Sequence, residues 1–112
     1  MKSDMEIQSD SIREKIQYIS FILSEKNIEH ITYYKIIYID PINSNIKRII
    51  ITINKLGEFQ ALIKSNNNTF MEQHSEYMKI PAMNLYIKSF ETVDGVLNDI
   101  IPFVTINTKK AK

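Results

Sequence analysis

The chain has no cysteine and no tryptophan, and only two glycines and three prolines in 112 residues. Without cysteine there is no disulfide framework and no thiolate–zinc site, and the composition suits a reducing compartment. Gly57 and Gly95 alone cannot build a glycine-rich phosphate cradle or a dinucleotide fingerprint. The two histidines, His30 and His74, are far apart and have no second ligand at metal-binding spacing, so no metal is expected. There is no Gly-x-Ser-x-Gly elbow. Glu72 and Glu76, one helical turn apart, read as a solvated face rather than a catalytic carboxylate pair. The sequence thus points away from an enzyme and implies no cofactor. No run of roughly 18 apolar residues occurs, which excludes a transmembrane helix. The opening Met1–Glu6 lacks the apolar segment of a secretory signal. A cytoplasmic protein with no membrane partner is expected, in which Asn67-Asn68-Thr69 serves as a turn rather than a glycosylation site.

What the chain has in abundance is isoleucine: 22 residues, against five leucines. These crowd into Tyr33–Ile39 and Ile46–Ile53, separated by the turn-rich Asp40–Asn45, and read as paired antiparallel strands. Upstream, Ile12, Ile16, Ile19 and Leu23 fall at helical spacing. Ser11 and Glu14 match a capping box, and Asn27 can take the left-handed conformation that ends a helix. Phe21 lies opposite that apolar stripe.

A meander of three strands follows, at about His30–Ile39, Ile46–Asn54 and Glu58–Lys64, with Gly57 supplying the last tight turn. Thr69–Glu72 opens a second helix to about Lys79, although a further hairpin strand also fits there. Met83–Lys88 alternates as a strand. Val93, Val96, Leu97, Ile100 and Ile101 mark a last helix, capped by Thr92, weakened by Gly95 and closed by Pro102. Phe103–Ile106 reads as a short final strand. The expectation is an α+β domain over residues 11–106, in the order α-β-β-β-α-β-α. An antiparallel sheet of about four strands carries its helices packed on one face. A flexible N-terminal arm (1–10) and a basic tail (107–112) flank it.

Alternation divides the sheet into two faces. The expected core face holds Ile37, Ile39, Ile49, Ile51, Ile53, Phe59, Ala61, Ile63, Met83, Leu85 and Ile87. The other holds Thr32, Tyr34, Ile36, Tyr38, Arg48, Ile50, Thr52, Gln60, Leu62, Lys64, Tyr86 and Lys88. Tyrosine and arginine around exposed aliphatics is an interface composition. Tyr34, Ile36, Tyr38, Arg48, Leu62, Lys64, Tyr86 and Lys88 are therefore the candidate partner-binding residues.

Two function classes follow. The first is a small non-enzymatic protein-binding module, such as an inhibitor or immunity-type protein that masks a partner's surface, with the acidic stretch Glu72–Asp99 complementing a basic partner. The alternative is a nucleic-acid-binding regulator that uses the same aromatic and basic face. The formal charge of +1 weighs against the second. A homodimer through this face is compatible with either.

Overall fold

A computed structural model describes residues 4–41 and 44–105, with side chains over 11–41 and 44–104. Helix α1 spans Asp4–Glu25. Strands β1 (Ile31–Tyr33), β2 (Ile36–Ile39), β3 (Ile46–Ile53) and β4 (Phe59–Ser65) come next. The short helix α2 (Asn68–Glu72), strands β5 (Met78–Ile80) and β6 (Leu85–Phe90), and helix α3 (Val93–Thr105) complete the order. The fold is α+β, with one antiparallel six-stranded sheet in the order β1-β2-β3-β4-β6-β5. The expected tail 107–112, Ile106, residues 1–3 and the turn residues Ile42 and Asn43 lie outside the described residues.

Several local signals act as their chemistry requires. Asn27 takes φ 59°, and the amides of Asn27 and Ile28 bond back to the carbonyls of Ser24 and Leu23, closing α1 with a Schellman motif. Gly57 takes φ 81° in the β3–β4 turn, where the Asn54 side chain accepts from the amides of Leu56 and Glu58. The Thr92 hydroxyl accepts from the Gly95 amide and caps α3. On β3 a bulge between Ile46 and Arg48 resets the alternation, so Ile46 is buried while Lys47 is exposed.

Five expectations are corrected. Helix α1 begins at Asp4, so Ser11 sits inside it rather than capping it, and the backbone of residues 4–10 is helical. The expected first strand is two strands: Ile31–Tyr33 folds back on Ile36–Ile39 through a tight turn at Tyr34 and Lys35. No glycine or asparagine marks that turn, and Tyr34 takes it at φ 61°. Helix α2 lasts five residues instead of reaching Lys79, is capped by Asn67, and the chain then forms the hairpin β5–β6. Helix α3 continues through Pro102 to Thr105 instead of giving way to a strand. Phe103 and Val104 extend the buried stripe of Val96, Leu97 and Ile100, and burying two such side chains at roughly 1.5–3 kcal/mol each offsets the interior proline's cost of about 3 kcal/mol. The fifth correction concerns which side of β6 faces the helices.

Register settles that point. Ile63 pairs with Tyr86, Ala61 with Lys88 and Phe59 with Phe90. Tyr86, Lys88 and Phe90 therefore share the core face with Ile63, Ala61 and Phe59, while Leu85 and Ile87 point the other way. Met83 lies in the β5–β6 turn and is exposed. Small Ala61 lies beside Lys88 in the register, which leaves the longer side chain room. Lys88 Nζ lies 4.9 Å from the Phe90 ring centroid, 5.7 Å from that of Tyr77 and 3.5 Å from Asp99 Oδ2. The Tyr77 hydroxyl donates to the same carboxylate oxygen at 2.7 Å. Burial first, and then this bond to Asp99, push the Tyr77 hydroxyl well above the usual tyrosine value.

Both long helices cover this inner face. Ile16, Ile19 and Leu23 of α1 and Val96 and Ile100 of α3 are fully buried, as are Ile37, Ile49, Ile51, Ala61 and Ile63 of the sheet. Thr32 also turns inward: its hydroxyl donates to Ser20 Oγ on α1 at 3.0 Å. Ser20 in turn bonds His30 Nε2 at 2.6 Å, and His30 Nδ1 lies 2.8 Å from the Ile28 carbonyl. The Ile28 carbonyl can only accept, so Nδ1 donates in that bond. The network ties β1 to α1.

Candidate functional site

The outer face of the sheet carries no helix and no other described element. Strand pairing alone dictates what it displays. Ile31 stands opposite Tyr38, Tyr38 opposite Ile50, Ile50 opposite Leu62, Leu62 opposite Ile87 and Ile87 opposite Met78. One unbroken apolar row thus crosses all six strands. Its ends are open to solvent, with Ile31 63 % and Met78 71 % exposed, and its four central members are half-buried against one another.

The rows on either side differ. Toward one flank, Arg48 pairs with Lys64, Lys64 with Leu85 and Leu85 with Ile80. Toward the other, Thr52 pairs with Gln60 and Gln60 with Ser89, with Ile36 and Tyr33 extending that side onto β2 and β1. The apolar surface is therefore a diagonal band. It widens to Tyr33 and Ile36 at one end and to Leu85 and Ile80 at the other, and narrows between Arg48/Lys64 and Thr52/Gln60.

Asp40, Lys47, Arg48 and Lys64 line an open cleft of about 270 Å³ on the first flank. Arg48 is held by two bonds to Asp40, Nε to Oδ1 at 2.7 Å and Nη2 to Oδ2 at 3.0 Å, and its guanidinium lies 5.4 Å from the Tyr38 ring centroid. The hydrogen bond from Arg48 holds the Asp40 carboxyl below the usual carboxylate range, and Asp40 in turn raises Arg48. Lys47 and Lys64 are exposed and make no ion pair among the described residues.

Of the expected site residues, Ile36, Tyr38, Arg48, Leu62 and Lys64 are brought together on this outer face. Tyr34 is not on the sheet surface but at the β1–β2 turn, 74 % exposed. Of the four positive-φ residues among those described, two are asparagines and one is glycine, types that tolerate the left-handed region; Tyr34 is the bulky exception. Tyr86 and Lys88 are corrected: Tyr86 is only 2 % exposed in the core, and Lys88 is engaged with Asp99 on the helix side. Ile31, Met78, Ile80, Leu85 and Ile87 escaped the sequence reading. Each sits on a strand whose existence or alternation the sequence does not show, and Leu85 and Ile87 belong to the expected core set because aliphatic burial is the default inference. Among the described residues no group of three or more histidines, cysteines or carboxylates is placed to hold a metal ion. No helix there is long and apolar enough to cross a membrane. No protein-family model matches the chain, and comparison with curated proteins and with solved structures found no match.

Proposed function

We propose that the chain is a non-enzymatic protein-binding module that acts by masking a partner's surface with the outer face of its sheet, as an inhibitor or immunity-type protein does. The observation that carries this reading is the apolar row from Ile31 to Met78, which runs across a face that no described element covers. A contiguous apolar strip rimmed by polar and charged groups is what a docking surface requires. Tyr38, with the Arg48 guanidinium 5.4 Å from its ring centroid, is an aromatic anchor of the kind that dominates such interfaces. The nucleic-acid reading fits less well. Stacking platforms need aromatic planes, and the band offers only Tyr38 and, at its edge, Tyr33 among isoleucine, leucine and methionine.

The test places a photo-reactive residue at Leu62 and, separately, at Gln17 on the exposed side of α1, in cells of the native source. A discrete protein adduct is expected from position 62 alone, and it should disappear when Ile87→Lys is added. Equal adducts from both positions, or an adduct indifferent to Ile87→Lys, would overturn the proposal.

A further inference from the structure

The band's shape and its one-sided charge specify the chemistry of what docks there. Resting on the docking reading above, we infer that the partner presents an acidic amphipathic helix: an apolar stripe that lies along the diagonal band, with carboxylates on the side facing Lys47 and Lys64.

Three features lead to this. The band is about one side chain wide at the centre, where Ile50 and Leu62 lie between Arg48/Lys64 and Thr52/Gln60. A second sheet would need a broad apolar surface to pack against, whereas the stripe of an amphipathic helix has this width. The band crosses six strands, so at ~4.8 Å per strand it is roughly 24 Å long, the length of a helix of about 16 residues. The charge is also lopsided. Lys47 and Lys64 stand free among the described residues on one flank, while Thr52, Gln60 and Ser89 on the other are neutral. Arg48 is already matched by Asp40, and Glu29 lies beyond Asp40 toward the β1 edge, so the uncompensated positive charge at the middle of the band is that of the two lysines at β3 and β4. A partner with carboxylates over the middle of the band and neutral residues across from them satisfies both flanks.

The experiment uses the full chain and three fluorescent probes of known composition. One is an 18-residue helical peptide with a leucine stripe and glutamates along one flank; the second has lysines in place of those glutamates; the third is single-stranded RNA of similar length. Binding is followed by anisotropy at low and at high salt. The glutamate peptide should bind about tenfold more tightly than the lysine peptide, and the gap should shrink with salt. Lys47→Glu with Lys64→Glu should reverse the order; both residues are exposed, so folding is not at risk. Ile50→Lys should abolish binding of both peptides.

Equal affinity for the two peptides, each still abolished by Ile50→Lys, would overturn the acidic-helix inference and leave the docking reading standing. Peptide binding that ignores Ile50→Lys, or no peptide binding at all, would overturn the inference, and the photo-crosslinking result then decides the docking reading separately. RNA binding tighter than either peptide would overturn both.

Discussion

The two sides of this sheet contain the same chemical group in opposite settings. On the inner side, Lys88 lies over the rings of Phe90 and Tyr77 and meets Asp99. On the outer side, Arg48 lies against Tyr38 and meets Asp40. Each is a cation, an aromatic ring and a carboxylate. The inner set bridges the sheet and α3, with the Lys88 and Asp99 side chains 26 % and 29 % exposed against 43 % and 61 % for Arg48 and Asp40. The outer set is solvent-facing, covered by nothing described, and borders a cleft with two further lysines. Residue type alone does not decide which set faces the helices and which faces solvent; the strand register and the helix layer do.

The largest expected contrast lies between two adjacent residues. Ile51 is fully buried and Ile50 belongs to the outer row. Ile51→Lys should prevent folding, because a buried unpaired ammonium adds to the lost apolar burial. Ile50→Lys should shift the urea midpoint little, since the long stem can lie along the face with its charge in water. If Ile50→Lys also unfolded the chain, the outer face would be covered and the comparison would collapse.

The next contrast is in pH. The folded state keeps Tyr77 protonated well above the usual tyrosine value, so the stability it contributes is intact below about pH 10 and is lost above it as the unfolded chain ionises. That loss approaches about 1.4 kcal/mol per pH unit, and Tyr77→Phe should remove it from denaturation curves taken between pH 9 and 11. Asp40 behaves in the mirror sense. Its carboxyl is held ionised below the usual range, so its contribution is present at neutral pH and lost only as pH falls below the usual carboxylate range. Being exposed, it should give much the smaller effect. Equal flattening of the two limbs by Tyr77→Phe and Asp40→Asn would mean that the outer pair is as enclosed as the inner one.

The smallest contrast sets two tyrosines against each other. The Tyr86 hydroxyl is buried with no hydrogen-bond partner among the described residues. Tyr86→Phe should therefore stabilise the fold by roughly 1 kcal/mol, through relief of an unsatisfied polar atom. Tyr38→Phe, on the open side, should change stability by less than about 0.5 kcal/mol. A destabilising Tyr86→Phe would show that the hydroxyl is satisfied after all.

The parts of the fold written in local chemistry were legible. The stripe of Ile16, Ile19 and Leu23, the left-handed Asn27, the Thr92 cap and the Gly57 turn each announce themselves, and the parity of β3 and β4 follows from their alternation. This placed Ile36, Tyr38, Arg48, Leu62 and Lys64 together. What was not legible depended on tertiary competition. The run Ile31–Ile39 contains only strand formers, so no residue type marks the reversal at Tyr34. In β6, Tyr86 and Phe90 weigh about as much toward burial as Leu85 and Ile87. The tie is broken by Ala61, which makes room for Lys88, and by Asp99, which receives its charge, and both lie far away in sequence. Pro102 stops a helix in isolation but not one whose next residues have a core waiting for them. The site was therefore half visible: the cations and Tyr38 came from β2, β3 and β4, and the rest waited on β1, β5 and β6.

Both outermost strands, β1 and β5, are only three residues long, and β5 runs directly into Pro81. A neighbouring molecule seeking to prolong the sheet sideways would find few main-chain hydrogen-bonding groups and a ring that donates none. Ribbon-like polymerisation is thus blunted at the rims, although the exterior plane of the sheet is greasy.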